Sequence, residues 1–407
     1  LTRRRCAWVI LVALWGLSGC QEDPAPRAQL LADSASPHDA TSLDTPRLDS
    51  NPELVDTTAS LSDPVWTVLH SELDEALLSL WGSSSSDLWA VGADKGSGPV
   101  VLHGTPSGWT RLVTGTTGDL WWVYGPSDEE IVMVGSHGTV LRYDRTSETL
   151  RALESGTDAT LFGVWGTPER LWAVGGHLPP HDGPPVLLQI EGETVTPVAL
   201  PEAVPDDLMF FKVWGAGPDD VTVIGEGGAL LHWDGATWTW SPLESAPRLV
   251  TVHGSGSGER VLVGGANNAS LFEEHDEGWI DSSPAFAPAL NGVFVHPDRS
   301  AAVGMLGAVF LKEGESWFDA PALPLFVDLH ATWIDERGDV YTVGGGLLSA
   351  SAMDRGALLR LGPVRDDGVT VPSGPIPEEV INAEVVPPDS DAQASDEKMS
   401  KLKDKER

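Results

Sequence analysis

Four short runs follow one another in the middle of the chain: Phe211-Lys212-Val213-Trp214-Gly215, Asp220-Val221-Thr222-Val223-Ile224-Gly225, Ala229-Leu230-Leu231-His232-Trp233 and Trp238-Thr239-Trp240. Each run is alternating or wholly apolar, as β-strands are, and Gly-Pro-Asp and Asp-Gly turn signals lie among them. No run has the length of a typical helix. The stretch therefore predicts a small antiparallel sheet of four strands.

The same order of segments recurs along the chain, and each copy is marked by a Gly that follows Val or Ile. The spacings between these glycines are 43, 40, 50, 39, 40 and 40 residues. Units of about 40 residues that stand around a shared axis form β-propellers. We therefore predict an all-β, seven-bladed β-propeller over residues 64–363, with four-stranded antiparallel blades. Arg260 and Ser300 fit the apolar pattern of the second strand less well. The marker glycines are Gly92, Gly135, Gly175, Gly225, Gly264, Gly304 and Gly344.

Trp66 predicts how the ring closes. In four units a Trp of the fourth strand precedes the residue that opens the next unit by 15 or 16 positions, and Trp66 precedes Trp81 by 15. Trp66 thus has a fourth-strand position with no unit before it, while the seventh unit has three clear strands. We predict that an N-terminal strand, residues 64–69, completes the last blade and leaves no open edge there. Val369–Val371 is a competing closing strand, although its spacing does not match.

The first 20 residues have the organisation of a bacterial export signal. The basic start Thr2-Arg3-Arg4-Arg5 precedes an apolar run, 6–17, that is too short to span a bilayer stably. The end of the leader, Leu17-Ser18-Gly19-Cys20, resembles the lipobox of bacterial lipoproteins. In that family the Cys thiol receives a diacylglyceryl group, a signal peptidase cleaves before the Cys, and its amine is usually acylated. The resemblance implies a signal peptide over 1–19 and a lipid anchor on Cys20.

The residue after the cysteine bears on the destination of the protein. In the lipoproteins that this leader resembles, a residue other than Asp, such as Gln21, favours transport to the outer membrane. We therefore expect an outer-membrane lipoprotein, either on the periplasmic face or at the cell surface. The alternative is an ordinary cleaved secretory signal in which the cysteine is incidental.

Two segments of different composition flank the repeats. Residues 20–63 contain no aromatic side chain and are rich in Asp, Ser, Thr, Pro and Ala, so they cannot bury enough apolar surface to fold alone. We predict a disordered acidic tether there, with a reach of roughly 35–40 Å. Aromatic residues are absent again after Pro363, and residues 364–407 are predicted to be a disordered tail of acidic and mixed charge.

Charge and cysteine content exclude several classes of partner. Without the leader the chain has 22 basic and 60 acidic residues, a net charge of −38 that repels phosphate backbones and argues against nucleic acid. Cys6 and Cys20 are the only cysteines, so the mature domain has no disulfide and no thiolate metal site. We expect a monomer with no metal and no cofactor besides the lipid on Cys20.

Three recurring phrases resemble a known class of propeller repeat. Val-Trp-Gly at 213–215, Trp-Ala-Val-Gly at 172–175 and Trp-Asp-Gly-Ala-Thr-Trp at 233–238 are similar to the neuraminidase-like, or Asp-box, repeats of exported bacterial lipoproteins. They also resemble, more distantly, the propeller of photosystem II assembly factors. The Asp-box Ser-x-Asp-x-Gly-x-Thr-Trp lacks here the residue between Asp234 and Gly235, and in the family it stabilises a turn. The resemblance, which covers roughly 64–363, implies a fold and not an activity.

These features favour a non-catalytic module that binds or scaffolds protein or glycan partners at the envelope. A sialidase would need an arginine cluster and a tyrosine nucleophile supported by a glutamate. Tyr124 and Tyr341 fall at positions that pack within blades, and Tyr143 is the remaining tyrosine. The alternative function is an envelope glycoside hydrolase or lyase that uses the central channel. Arg converging with Tyr, Glu or His at the channel mouth would favour the enzyme, and small or apolar residues the binding module.

An insertion in the third unit, 176–185, is the first place to look for a ligand. Its His177, His181 and Asp182 have donor atoms that transition metals accept, although a Pro-stiffened surface loop explains the same residues. Pairs of acidic residues elsewhere have oxygens that suit Ca²⁺, but they lie where strands turn and fit solvated turns better. These pairs are Asp128-Glu129, Asp219-Asp220 and Asp276-Glu277.

Overall fold

The blades stand in a ring around one central axis. The computed structural model describes residues 63–364 except 180, 182, 257–258 and 348–352, and in addition 372, 376, 380–382 and 384–386. The described residues form seven antiparallel sheets, and the first strand of each blade contacts the first strand of the next, so that the predicted seven-bladed all-β propeller is confirmed. The predicted leader, Cys20, and residues 21–62 of the tether lie outside the described residues.

The chain builds the ring in sequence order, and blades 1 to 6 run from the axis outward. Before them comes β1, Val65–Leu73. Blades 1 and 2 consist of β2 Leu77–Ser84, β3 Asp87–Asp94, β4 Pro99–Thr105 and β5 Gly108–Val113, then β6 Leu120–Ser127, β7 Glu130–Gly135, β8 Val140–Asp144 and β9 Thr149–Ala152. Blades 3 and 4 consist of β10 Thr160–Gly166, β11 Leu171–Gly176, β12 Val186–Glu191 and β13 Thr194–Pro197, then β14 Phe210–Gly217, β15 Asp220–Gly225, β16 Leu230–Trp233 and β17 Trp238–Trp240.

The second half of the ring repeats this order. Blades 5 and 6 consist of β18 Leu249–Gly254, β19 Arg260–Gly265, β20 Ala269–His275 and β21 Gly278–Asp281, then β22 Leu290–His296, β23 Arg299–Gly304, β24 Val309–Glu313 and β25 Ser316–Asp319. Blade 7 begins with β26 Asp328–Ile334, β27 Val340–Gly346 and β28 Asp354–Gly362. Two single 3₁₀ turns, Ser136–Gly138 and Met305–Gly307, join the second and third strands of blades 2 and 6. Among the described residues no helix has the length and apolar character needed to cross a membrane.

The N-terminal strand completes blade 7, as predicted from the position of Trp66. Strand β1 is antiparallel to β28, with Trp66 opposite Leu361 and Val68 opposite Leu359. The indole Nε1 of Trp66 donates a hydrogen bond of 2.7 Å to the backbone oxygen of Pro321 in the neighbouring blade. The last blade therefore takes its outer strand from the beginning of the domain, which ties the two ends of the ring together. The competing segment, Val369–Val371, lies outside the described residues.

Two short strands add a fifth member to blades 1 and 2. Strand β29, Val380–Asn382, pairs in parallel with β5, and strand β30, Glu384–Val386, pairs in parallel with β9. These six residues belong to the segment that we predicted to be disordered, and here the structure differs from the prediction. The outer strands of these blades offer unpaired backbone groups that short extended runs can satisfy. Ile376 also packs against the apolar core shared by blades 1 and 7.

The marker glycines have a common structural cause at the inner strands. In all seven blades of the described ring the pairing of the first two strands shifts by one residue, and the marker Gly lies opposite the residue before the shift. A Cβ atom on these glycines would lie 1.9–2.3 Å from a backbone oxygen across the hairpin, as at Gly225, where it would be 2.1 Å from the oxygen of Met209. Only Gly permits this close approach of two backbones.

The recurring Trp-Gly dipeptides pack one blade against the next. The Trp165 ring of blade 3 lies against Gly215 of blade 4, where an added Cβ would be 2.5 Å from the indole. In the same way, Trp81 of blade 1 lies against Gly125 of blade 2, Trp214 of blade 4 against Gly254 of blade 5, and Trp333 of blade 7 against Gly82 of blade 1. In these four pairs one blade supplies a large ring and the next blade the space for it, and the apolar core lies between blades.

In every described blade a carboxylate at the second or third strand pairs with an Arg or His at the other. In blades 3, 5 and 6 the base comes first, and in blade 5 Arg260 is buried against Glu274 and also reaches Asp220 of blade 4. This explains why Arg260 departs from the apolar pattern of its strand. Ser300 is likewise buried. The pairs, from blade 1 to blade 7, are Asp87–His103, Glu130–Arg142, Arg170–Glu191, Asp220–His232, Arg260–Glu274, Arg299–Glu313 and Asp339–Arg360.

Candidate functional site

The mouth of the central channel is surrounded by the residues at the seven register shifts that lie beside the marker glycines. Each inner strand contributes the one residue that the register shift leaves out of the ladder, and such bulges often redirect side chains next to functional sites. The rings of Trp121 and His330 approach to 5.8 Å between centroids although they belong to blades 2 and 7, which are not neighbours. These side chains therefore lie toward the axis. The ring consists of Leu78, Trp121, Phe162, Phe211, Val250, Asn291 and His330.

Apolar side chains close this mouth. Trp121 packs edge-on against Phe162, and Phe162 against Phe211, with centroid distances of 5.2 and 5.6 Å. These three side chains are 7%, 4% and 5% exposed. Leu178 of the blade 3 insertion and Met353 of the corresponding blade 7 connection pack against the same cluster. Connections that are longer than in other blades thus cover the aromatic residues on this face of the ring.

The two ionisable side chains at the mouth are held by backbone oxygens. Lys212 follows the bulge of blade 4, and its Nζ donates to the oxygen of Phe162 at 2.9 Å and lies 3.4 Å from the ring centroid of Trp122. Burial holds the pKa of Lys212 well below its usual value. The Nδ1 of His330 contacts the oxygen of Leu78. Burial, aided by the charge of Lys212, lowers the pKa of His330 to about 4.

Neutral side chains continue this pattern around the mouth. The hydroxyl of Thr251 donates to the oxygen of Asn291 at 2.6 Å, and the Asn291 amide donates to the oxygen of Leu329 at 2.8 Å. Each of these bonds joins one blade to the next at the level of the bulges. The polar groups at the mouth therefore satisfy backbone that the bulges leave unpaired, which is a structural task.

His253 takes the place of an aromatic residue in the inner strand of blade 5. Its ring stacks on Phe294 at 4.0 Å and lies 5.6 Å from Trp214, and its Nδ1 accepts the N–H of Val295. Burial lowers the pKa of His253 to about 3. The imidazole is therefore neutral at neutral pH and packs between blades as the rings at equivalent positions do.

The tyrosines occupy packing positions as the sequence predicted for two of them. Burial raises the pKa of Tyr124 to about 12, and its hydroxyl donates to the oxygen of Gly166 at 2.8 Å. Tyr341 is fully buried against Trp333, and burial raises its pKa as well. Neither phenol has the lowered pKa of an activated nucleophile.

The predicted ligand loop of blade 3 lies beside the mouth with its two imidazoles in different settings. His177 is half-buried with Nδ1 3.8 Å from a carboxylate oxygen of Asp158, and His181 is exposed and donates its backbone N–H to the oxygen of Leu178. Asp182 lies outside the described residues. Among the residues that the structure describes, no group of three or more His, Cys, Asp or Glu is placed to hold a metal ion. Ligand binding by His177, His181 and Asp182 stays a prediction.

The acidic pairs lie at turns on the opposite face of the ring. Asp128 and Glu129 are exposed, as are Asp276 and Glu277. Asp220 differs, because its carboxylate contacts both His232 and Arg260. The Asp220 carboxylate is therefore already engaged by two side chains of the protein itself.

An apolar groove on blade 6 is a feature that the sequence analysis missed. It has a volume of about 620 Å³ and is formed by segments 284–288, 306–310 and 317–323. Phe286, Leu306 and Phe318 at its walls are 103%, 54% and 43% exposed. Residues 284–288 lead into β22, 306–308 join β23 to β24, and the connection after β25 leads into β26. Since successive strands of a blade alternate in direction, these three connections lie on the same face as the channel mouth. The one signal in the sequence was an apolar loop bounded by Pro284 and Pro288.

Comparisons with known proteins bear on the fold. No protein-family model matches the chain, and no curated protein matches it in sequence. The WD40 β-propeller domain of Doa1 is similar with a TM-score of 0.54 and 10% identity, over 74% of this chain and 98% of that one. The extracellular domain of a hybrid two-component system from B. thetaiotaomicron is similar with a TM-score of 0.52 and 11% identity, over 71% of this chain and 40% of that one. At such identities these likenesses show the fold alone, which is that of a β-propeller.

Proposed function

We propose that this protein is a lipid-anchored, non-catalytic β-propeller that binds or scaffolds protein or glycan partners at the outer membrane. The observation that carries the proposal is the apolar closure of the channel mouth by Trp121, Phe162 and Phe211. A propeller whose axis is closed on this face offers its rims and connections, and not an interior cavity, to other molecules. The monomeric state expected from the sequence belongs to the same proposal.

An enzyme of the channel would need a different arrangement. A hydrolase or lyase needs an open cavity in which a nucleophile or base meets groups that stabilise charge. The described mouth has Lys212, which is buried, and His330, which is half-buried, and both are held by backbone oxygens. Tyr124 and Tyr341 pack elsewhere. These contacts favour the binding module over the envelope hydrolase.

Exposed apolar surface supports the binding role. Soluble monomers seldom expose large contiguous apolar patches unless these serve recognition. Blade 6 presents Phe286, Leu306 and Phe318 around one groove. The groove lies on the face where the longer connections of blades 3 and 7 also lie. We assign partner contact to this face.

Capture from envelope extract tests the proposed binding function. The chain from residue 21 onward, immobilised on beads, is expected to retain specific proteins from the extract or to bind specific sugars on a glycan array. The same chain after heat unfolding is the control for adhesion to exposed apolar residues. If the folded chain retains neither proteins nor sugars beyond this control, the proposed binding function is wrong.

Substitution of Cys20 tests the lipid anchor. We expect Cys20→Ala to abolish incorporation of labelled palmitate and to release the protein from membranes, because the thiol is the atom that receives the diacylglyceryl group. Two or three chains hold a protein durably, at about 0.8 kcal/mol for each buried methylene. Cys6→Ala is the matched control, since this cysteine belongs to the leader and its loss leaves labelling unchanged. Persistent labelling of the Cys20→Ala protein would contradict the anchor.

A further inference from the structure

We propose that the groove on blade 6 binds a positively charged peptide segment of a partner protein, with large apolar side chains of that segment seated in the groove. The inference rests on the proposed binding function and names the surface and the chemistry of its partner. It draws on the shape of the groove, the backbone conformation of its walls and the charge around it.

The groove has the composition of a site for apolar anchors. Its lining contains Val309, Phe310 and Trp317 of blade 6, which are buried or half-buried, while Phe286 and Phe318 stand out into solvent. The side chains that contribute most to protein interfaces are large rings and aliphatic groups that fill such depressions. A partner that covered this surface would remove Phe286, which is fully exposed, from water.

Two of the exposed wall residues have a backbone conformation that is unfavourable for them. Phe286 and Leu306 have φ values of 61° and 55°, in the left-handed region that bulky residues rarely occupy. The turns are held in place, since Ala287 donates to the oxygen of Pro284 and Leu306 donates to a carboxylate oxygen of Asp328 at 2.8 Å. Strained backbone persists where surrounding structure fixes it, and it concentrates at sites of recognition. Here it presents two apolar side chains outward.

The charge around the groove decides between partners. Residues 249–327, which form blades 5 and 6 and their connections, have ten acidic and three basic residues, but most of these lie at turns on the opposite face of the ring. All three bases are paired within the chain, as Arg260–Glu274, Arg299–Glu313 and Lys312–Glu273. On the face of the groove, Asp319 lines the groove and Asp281, at the end of β21, is also exposed. This surface attracts cationic segments and repels acidic ones.

The negative charge of the groove also argues against two occupants from this protein itself, namely its N-terminal segment and a second copy of the chain. Residues 20–63, which precede β1, have nine acidic and two basic residues and are therefore net −7. A second copy of this protein also has a large net negative charge, −35 for the whole chain. Both would bring negative charge against Asp319 and its neighbours. A separate, basic partner fits best.

Synthetic peptides can test the inference with the chain from residue 21 onward. Three labelled peptides of equal length are compared by fluorescence anisotropy: Trp and Leu alternating with Lys, the same apolar residues alternating with Glu, and Ser alternating with Lys. We expect the first peptide to bind at least tenfold more tightly than either of the others. Added salt is expected to weaken it, as long-range attraction between charges is screened.

Groove variants connect this binding to blade 6. The double substitution Phe286→Ser and Phe318→Ser alters exposed side chains, and we expect it to weaken binding of the Lys-Trp-Leu peptide at least tenfold. Ile280→Ser is the matched control, because Ile280 is an exposed apolar residue of blade 5 that does not line the groove. Asp319→Asn is expected to weaken binding by a smaller factor and to reduce its salt dependence.

Three outcomes would overturn the inference. The first is equal binding of the Lys and Glu peptides, and the second is unchanged binding by the Phe286→Ser, Phe318→Ser protein. The third is a large gain in peptide affinity when residues 21–62 are deleted, which would assign the groove to the chain's own segment. If that double variant still retains envelope proteins or sugars, the proposed function stands and only the groove assignment fails.

Discussion

Deletion of residues 64–70 is expected to lower the melting temperature of the chain from residue 21 onward by about 10 °C or more. The deletion removes most of β1, which pairs with β28 and completes blade 7. It also removes Trp66, whose indole bonds to Pro321 and packs between blades 6 and 7. Loss of one large half-buried ring and a run of cross-strand pairs costs about 5 kcal/mol. The exposed edge of β28 should also promote aggregation.

A deletion of equal length in the preceding segment is the matched control. Removal of residues 50–56 shortens the predicted tether and touches no strand of the described ring, so the melting temperature should stay within about 1 °C of the parent. Calorimetry or the near-ultraviolet signal of the tryptophans measures both variants. An unchanged melt after deletion of 64–70 would contradict closure by β1.

Gly225→Ala is expected to destabilise the protein by about 3 kcal/mol, although it adds one methyl group. The new Cβ would lie 2.1 Å from the oxygen of Met209 and 2.9 Å from the Cα of Phe210. Both neighbours are backbone, so relief requires the inner hairpin of blade 4 to move. Phe211, which closes the channel mouth, lies next to this contact. The melting temperature should fall by about 6 °C or more.

Gly217→Ala is the matched control in the same blade. An added Cβ there meets no atom within 4 Å. We expect a change in the free energy of unfolding within about 0.5 kcal/mol, as for most surface substitutions. Urea denaturation of both variants separates the two cases. Equal stability of the Gly225→Ala protein and the parent would mean that the repeat glycine does not serve the inner bulge.

The repeat architecture was predictable because its signals recur at a fixed spacing. The marker glycines, the strand runs and the position of Trp66 each reflect a structural constraint that recurs in every blade. The sequence did not reveal why the glycine recurs. That reason is a contact between two backbones, and residues such as Phe211 beside it look like ordinary strand residues.

Departures from the pattern had causes that are distant in sequence. Arg260 looked misplaced within its own strand, and its partners are Glu274 on the next strand and Asp220 on another blade. Strands β29 and β30 were missed because three-residue runs carry no periodic signal, and their partners β5 and β9 lie far away along the chain. Pairing at such separations cannot be read from composition.

The candidate functional site was also predictable only in part. Sequence reasoning selected His177, His181 and Asp182 because their side chains have donor atoms, and it proposed the channel mouth as the place that distinguishes enzyme from binding module. The structure places apolar rings at that mouth. The groove on blade 6 depends on turns that hold Phe286 and Leu306 at positive φ. Single apolar residues in loops carry no sign of such a conformation.

Amide hydrogen exchange along the mature chain tests the closed ring most directly. If β1 is the outer strand of blade 7, peptides that cover 65–73 and 354–362 should exchange together and slowly, through the same cooperative opening. Exchange of 65–73 within seconds, while 354–362 stays protected, would contradict the account.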